Sequence, residues 1–193
     1  NKNIPLSTQG VSADITRPFD VQLNAGWNLI GNPFTFDIDW TKVHVVDGGV
    51  VKSHDLAVTQ GLIGSGLYSY ISNSYLLTFR IQPWMGYWVR AYRNVTLRID
   101  PTTDQYGRAV SLGPNSRAVL GSTDGWALNL SANVGGMQDA DNYVGVSGRA
   151  ADTFDQYKLE KAPVFGNQYV RLAILHPTWG NYAGQYGVDL RSA

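Results

Sequence analysis

The sequence predicts an all-β protein built as a β-sandwich, either one jelly-roll-like sandwich or two abutting sandwiches. Short runs in which apolar and polar residues alternate recur along the chain, and Gly, Asn, Asp and Pro separate them. The 193 residues include 21 Gly, 11 Tyr and 6 Trp, and only 16% are charged, against roughly 25% in typical soluble domains. No run keeps the three-and-four apolar spacing of a helix over the length of an ordinary helix, so we expect strands and turns.

The first half contains a series of strand pairs. Asp47-Gly48-Gly49 separates two alternating runs, and an Asp-Gly pair supplies the positive backbone angles of a tight hairpin turn. Residues 72–74 separate two further runs, which predicts a second hairpin. The stretch 83–99, PWMGYWVRAYRNVTLRI, is dense in aromatic residues, and its two runs on either side of Arg93 and Asn94 predict a third hairpin. The runs of this half are 19–23, 27–31, 41–46, 50–52, 67–71, 75–79 and 83–99.

A polar stretch at 102–108 marks the boundary between two halves. Pro101 and Gly107 lie near its ends, as is typical of a linker. We therefore expect one β-sandwich half or domain at 1–102 and a second at 103–193. Strand-like runs of the second half occur at 117–120, 126–132, 143–146, 169–175 and 186–190.

The composition excludes several classes of function. The net charge is zero, so the chain has no basic excess with which to neutralise the phosphates of a nucleic acid. The absence of cysteine excludes thiol catalysis and disulfides, and no apolar run is long enough to span a membrane. The start at Asn1, without a signal-like segment, indicates a processed form or a module of a longer protein. Low charge with more Arg than Lys favours an extracellular or cell-surface location.

Two motifs carry a family resemblance. GWNLIGNPF at 26–34, together with PWMGYWVRA at 83–91, resembles a β-sandwich module of secreted and cell-surface bacterial proteins, found in multidomain proteins of type IX-like secretion systems. GWALNLSA at 125–132 through GVDLR at 187–191 resembles the segment that often follows this module. The resemblance implies an accessory or surface β-sandwich and brings no catalytic residues with it. The family usually has Gly where this chain has Trp84, which makes Trp84 a candidate contact residue.

Two aromatic-rich surfaces are candidates for sugar binding. Flat rings stack on the apolar faces of pyranoses, while Arg, Asn, Gln and Asp bond to the hydroxyls. Strand parity places Trp88, Arg90 and Tyr92 on one face and the core-facing Val89 on the other. The alternative is that these rings are buried packing residues, as large rings mostly are. The first surface comprises Trp84, Trp88, Arg90, Tyr92, Tyr68, Tyr70 and Tyr75, and the second is the loop 179–186 with Trp179 and Tyr182.

Acidic residues that follow a Gly-Gly pair could supply the oxygen ligands of a structural calcium ion. The helix-loop-helix calcium pattern is absent, and the same carboxylates could instead cap turns by accepting backbone N–H groups. The candidate ligands are Asp139, Asp141, Asn142, Asp152 and Asp155, and no other cofactor is expected.

The residues available for catalysis are few. His44, His54 and His176 are scattered, and the adjacency of His54 and Asp55 does not place the carboxylate behind the imidazole as a triad requires. The segment 64–66, Gly-Ser-Gly, lacks the glycine two positions before the serine that a nucleophile elbow needs. We therefore expect no enzyme, with a hydrolase as the minor alternative.

The sequence thus predicts a non-catalytic extracellular carbohydrate-binding accessory module that binds a polysaccharide or cell-surface glycan through exposed Trp and Tyr. The alternative is a structural spacer, an adhesin or a surface-assembly protein, whose partner is another protein or further copies of the chain.

Overall fold

A computed structural model of the chain describes residues 13–71, 74–101, 125–164 and 166–193. In these ranges the protein is all-β, with one short α-helix and two short 3-10 segments, which confirms the predicted fold class. The predicted boundary at 102–108 and the predicted strand at 117–120 lie outside the described residues. Over the same ranges, no helix has the length and apolar character needed to cross a membrane.

Most strands of the first half correspond to the predicted runs. The predicted strand 41–46 begins instead in a 3-10 segment, and the short strands Ile38–Asp39 and Arg80–Ile81 were not predicted. At the Asp47-Gly48-Gly49 turn, φ is 58° at Gly48 and 84° at Gly49, the left-handed values that a tight hairpin turn requires, so this hairpin is confirmed. A helix, α1, spans His54–Thr59, and the 3-10 segments are Trp40–Lys42 and Gly180–Tyr182. The strands are β1 (Phe19–Leu23), β2 (Gly26–Gly31), β3 (Ile38–Asp39), β4 (His44–Asp47), β5 (Val50–Ser53), β6 (Leu67–Ile71), β7 (Ser74–Thr78), β8 (Arg80–Ile81), β9 (Gly86–Ala91), β10 (Val95–Ile99), β11 (Gly125–Val134), β12 (Met137–Ser147), β13 (Lys158–Glu160), β14 (Ile174–His176) and β15 (Gly184–Arg191).

The first half is a sandwich of two four-stranded antiparallel sheets. The strand order is β1-β10-β4-β5 in one sheet and β2-β9-β6-β7 in the other. In each sheet an early strand lies beside a late one, β1 beside β10 and β2 beside β9, as in a jelly roll. The other half of each sheet is a pair of consecutive strands, β4-β5 or β6-β7. The core between the sheets contains fully buried side chains from both, among them Val89 of β9 and Leu97 of β10, and the indole of Trp40.

The prediction of a hairpin over 83–99 is wrong. β9 pairs with β2 and β6, whereas β10 pairs with β1 and β4, so residues 92–94 carry the chain from one sheet to the other. The odd-numbered residues of both strands are buried. A two-residue hairpin turn at 93–94 would pair odd-numbered residues of β9 with even-numbered residues of β10, so the apolar residues of the two strands would lie on opposite faces of one sheet. Because the chain instead passes to the other sheet, the apolar residues of both strands face the same core.

The described part of the second half is a single sheet. Its order is β11-β12-β15-β13, β14 also pairs with β15, and β12 runs parallel to β15. Leu77 of β7 packs against the buried cluster of this sheet. The sheet of the second half therefore completes its core by packing against β7 of the first half. The members of this cluster from the second half are Ala150, Leu159, Val188 and Leu190.

Charged and aromatic side chains join the outer face of the β2-β9-β6-β7 sheet to the second half. Arg90 Nε donates a hydrogen bond to Glu160 Oε2 at 2.6 Å, and both side chains are largely buried. The Tyr92 ring meets the edges of two second-half rings, Phe154 at 5.1 Å and Tyr182 at 5.0 Å between centroids. The two halves therefore share one contact surface at this end of the sheet.

Candidate ligand-binding surface

Trp84 lies in the turn between β8 and β9, and it is 93% exposed. Its φ is 64°, and no other non-glycine residue in the described ranges has a positive φ. Pro83 precedes it, and Gly is the usual second central residue of such a turn because positive φ costs other residues about 1–2 kcal/mol. A large exposed ring in a strained backbone position is a combination that internal packing does not explain.

Beside this turn, two paired glycines leave part of the outer face of the β2-β9-β6-β7 sheet without side chains. Gly31 of β2 pairs with Gly86 of β9, and both glycines are exposed. Leu29, 65% exposed, lies on the same face one pair further along, opposite Trp88. Trp84 is two positions before Gly86, so their Cα atoms are within about 7.6 Å of each other.

Tyr70 borders this glycine pair on its other side. Tyr68 of β6 lies opposite Trp88, and continuing this antiparallel register places Tyr70 level with Gly86. The Tyr70 ring is exposed, and its centroid lies 5.0 Å from that of Tyr75. Rings thus flank a flat strip of backbone. We call the set Gly31, Gly86, Leu29, Tyr70, Trp84 and Trp88 the glycine-floored face.

The second half covers the other end of the same sheet face, so the structure divides the aromatic surface predicted from the sequence. Tyr68 is 5% exposed, and burial raises the pKa of its hydroxyl far above the usual value. Arg90 pairs with Glu160, and its guanidinium carbon lies 5.0 Å from the centre of the Tyr92 ring. The Tyr75 hydroxyl donates to a backbone carbonyl of the second half. These side chains hold the halves together, and Trp84, Trp88 and Tyr70 remain as candidates for ligand contact.

Trp179 and Tyr182, which the sequence suggested as a second surface, belong to an internal aromatic cluster. The His176 ring stacks on Trp179 with 3.7 Å between centroids and 6° between planes, and the Arg191 guanidinium carbon is 5.4 Å from the Trp179 ring centre. Tyr182 stacks on Phe154 at 3.9 Å and 7°. The stacking faces of this loop are therefore used within the protein.

Two of the proposed calcium ligands, Asp139 and Asn142, bind Lys161, and a third, Asp141, lies beside Leu77 of β7. Lys161 Nζ donates to Asn142 Oδ1 at 2.6 Å and to both oxygens of Asp139, at 2.6 and 2.5 Å. Asp141 is partly buried, and this burial raises the pKa of its carboxyl. Lys161 Nζ therefore occupies the position between Asp139 and Asn142 that a cation would take.

Asp152 and Asp155, the other two proposed ligands, accept hydrogen bonds from nearby backbone N–H groups and a hydroxyl. Asp155 accepts the backbone N–H groups of Ala151 and Tyr157, and Asp152 accepts the backbone N–H and the hydroxyl of Ser192. Within the described ranges, no group of three or more His, Cys, Asp or Glu residues is arranged to hold a metal ion. The calcium ion therefore stays a prediction, without a preformed cage in the described part of the chain.

Two of the three histidines considered for catalysis, His54 and His176, are buried and take part in packing. His54 lies against Trp40 with 5.5 Å between ring centroids, and its Nδ1 is 3.2 Å from the exposed carboxylate of Asp55. Burial lowers the pKa of His54 below its usual value. His176 is buried, and its Nε2 lies 3.0 Å from Asp189.

Sequence reasoning missed Leu29, Gly31 and Gly86 as parts of the candidate site. Strand alternation puts Leu29 and Gly31 on one face of β2, but Leu29 and Ile30 are both apolar, so the sequence did not show which face is outward. The pairing of the two glycines depends on the register between strands far apart in sequence, so the sequence could not show it.

Comparisons with protein-family models, with curated proteins and with solved structures give no match to this chain.

Proposed function

We propose that the protein is a non-catalytic carbohydrate-binding module of a secreted or cell-surface protein, and that it binds a glycan on the glycine-floored face. The observation that carries the proposal is the turn at Trp84, where a 93% exposed indole sits at a φ of 64°. Strained backbone concentrates at functional sites, and the strain at Trp84 has no counterpart in packing that would offset it.

The chemistry of the face supports a sugar as the ligand. Gly31 and Gly86 leave room for a pyranose ring to approach the sheet, and Trp84, Trp88 and Tyr70 offer rings for its apolar face. The exposed amide of Gln82, two positions before Trp84, can donate to and accept from hydroxyl groups. Because the chain has zero net charge, we expect a neutral polysaccharide.

Affinity electrophoresis of the wild-type chain through gels containing soluble glucans, xylans or mannans tests this proposal, together with pull-down on the insoluble forms. We expect at least one polysaccharide to retard the protein and Trp84→Ala to abolish the retardation. Trp126→Ala is the matched control, because Trp126 is also an exposed indole but lies on β11 of the second half. If no polysaccharide binds the wild-type chain, the proposal fails.

A second candidate function, an adhesin or surface-assembly protein, is favoured by β11. This strand of ten residues carries no charge, lies at the edge of its sheet within the described residues and exposes Trp126, Leu128 and Val134. An uncharged exposed edge can add a strand from another chain. Sedimentation velocity over a range of concentrations measures self-association. Association that Trp126→Lys removes and Trp84→Ala leaves intact would support this function, and a monomer at every concentration would exclude assembly by this strand.

A further inference from the structure

Lys161, Asn142 and Asp139 contact one another in the sheet of the second half. Asn142 of β12 is 0% exposed, and Lys161, directly after β13, is 9% exposed. β15 lies between these two strands, and its Gly187 leaves the path across the sheet open. A Cβ at Gly187 would lie 3.5 Å from Lys161 Cγ, so the lysine stem passes over this glycine to reach Asn142.

The three side chains are arranged as a nucleophile, an electrophile and a proton carrier. Lys161 Nζ lies 2.6 Å from Asn142 Oδ1, and because a C=O bond is about 1.2 Å long, Nζ is no more than about 3.8 Å from the amide carbon. Asp139 contacts Lys161 Nζ at 2.6 and 2.5 Å and accepts from Asn142 Nδ2 at 3.0 Å. The backbone N–H of Leu172 donates to Asp139 Oδ2 at 2.9 Å and fixes the carboxylate between its two partners.

We propose that Lys161 and Asn142 join in an intramolecular isopeptide bond, formed without a cofactor and with Asp139 as the proton carrier. The Lys161 Nζ–Asn142 Cγ bond forms, and the Asn142 Cγ–Nδ2 bond breaks. Asp139 takes one proton from the Lys161 ammonium and gives it to the leaving nitrogen, then takes the second proton from the attacking nitrogen. Ammonia departs, and the second proton stays on Asp139 or leaves with ammonia as ammonium.

The surroundings favour the neutral amine that this reaction needs. Burial lowers the pKa of Lys161, against the opposing effect of Asp139. In a site of low dielectric, proton transfer from ammonium to carboxylate replaces two buried charges by two neutral groups. The buried Tyr68 ring of the first half lies close enough for the charges of Asp139 and Asp141 to act on its hydroxyl, so the junction between the halves shields the site.

A free amine and a free amide in solution react very slowly, and holding the Lys161 amine beside the Asn142 amide favours their reaction. Groups held in a near-attack geometry react with effective molarities of about 10⁵–10⁸ M, because the loss of translational and rotational freedom has occurred on folding. Asn142 is further held by donating to the Leu130 carbonyl at 3.3 Å. The product would tie β12 to the segment after β13 across β15, closing a loop between positions 19 residues apart.

Intact-mass spectrometry of the purified, folded chain under denaturing conditions tests the proposal. We expect a mass lower than that of the sequence by one ammonia molecule. We also expect a tryptic peptide in which the segment ending at Arg149 is joined to the segment containing Lys161, since trypsin does not cleave after an acylated lysine. A wild-type chain that melts cooperatively and has the full sequence mass would overturn the proposal.

Two variants separate this reaction from other losses of ammonia. Lys161→Arg keeps the positive charge beside Asp139 and cannot form the bond, and Asp139→Asn keeps the shape of the carboxylate and cannot carry the proton. We expect both variants to have the full sequence mass. Since the wild-type mass is itself decisive, a folding defect in either variant does not prevent the test. A mass deficit that persists in Lys161→Arg would also overturn the proposal.

Discussion

Trp84 combines a backbone strain with a side chain that has little internal contact. Its φ of 64° costs about 1–2 kcal/mol for any residue with a Cβ. Because the side chain is 93% exposed, burial of the indole contributes little stability to offset this cost. This combination of strain and exposure is the basis of our proposal that Trp84 contacts a ligand outside the chain.

Replacing Trp84 by Gly or by Ala separates backbone strain from side-chain loss. Both variants remove the indole, but only Gly relieves the positive φ, so we expect Trp84→Gly to be about 1 kcal/mol more stable than Trp84→Ala. Urea denaturation followed by fluorescence measures the difference. Equal stability of the two variants would show that the turn is not strained at this position.

His54 is expected to make stability depend on pH. Burial lowers its folded-state pKa below the usual 6.5, so the unfolded chain binds more protons as pH falls through this value. His54 makes no pH-dependent difference well above pH 6.5, and the free energy of unfolding falls as the pH drops through 6.5 towards the lowered folded-state pKa, with a slope of at most about 1.4 kcal/mol per pH unit. The free energy of unfolding in His54→Gln should lack this part of the slope, and His44→Gln should retain it. An unchanged slope in His54→Gln would contradict the account.

In the turn between β4 and β5, Gly49 is needed for its backbone conformation and not for space. A Cβ at Gly49 would meet nothing within 4 Å, but φ there is 84°. We therefore expect Gly49→Ala to lower the free energy of unfolding by about 1–2 kcal/mol. Gly86→Ala is the matched control, because its Cβ would make an ordinary 3.6 Å contact with Leu29 and its φ is not positive. Equal effects of the two substitutions, measured by chemical denaturation, would rule out this explanation.

Local chemistry determines how far the elements could be predicted. The Asp47-Gly48-Gly49 hairpin was predictable because the turn residues themselves require positive φ. The hairpin over 83–99 was predicted wrongly, although the shared odd parity of the buried residues in β9 and β10 already argued against a two-residue turn. The paired glycines of the candidate site depend on contacts between distant strands, which no local pattern encodes.

The whole molecule depends on the contact between its halves, and this contact explains why most of the predicted aromatic surface is covered. Parity correctly placed Trp88 and Arg90 on the outer face of β9, but the sequence could not reveal that Glu160 would pair with Arg90. Tyr92 is likewise enclosed by second-half rings. Among the described residues of this face, the exposed ones lie towards the end that Trp84 borders, and they are Leu29, Gly31, Gly86 and Tyr70.

The Arg90–Glu160 pair provides a test of this coupling between the halves. The exposed side-chain fractions are 16% for Arg90 and 12% for Glu160, so removing one partner leaves a largely buried charge unpaired. We expect Arg90→Met and Glu160→Met each to destabilise the protein by about 2–3 kcal/mol, and the double variant by clearly less than the sum of the two. Additive effects in a double-mutant cycle, measured by urea unfolding, would contradict a direct interaction between these residues.

We propose that Trp84 occupies its strained position because its indole binds a glycan. The sharpest test is calorimetric titration of wild type and Trp84→Gly with the same polysaccharide. Trp84→Gly is the right variant because it should fold at least as well as Trp84→Ala, so weaker binding cannot be attributed to a damaged turn. We expect its dissociation constant to be at least about tenfold higher than that of wild type, since burying an anchoring Trp typically contributes more than about 1.4 kcal/mol. An unchanged dissociation constant would show that the Trp84 indole does not contact the glycan.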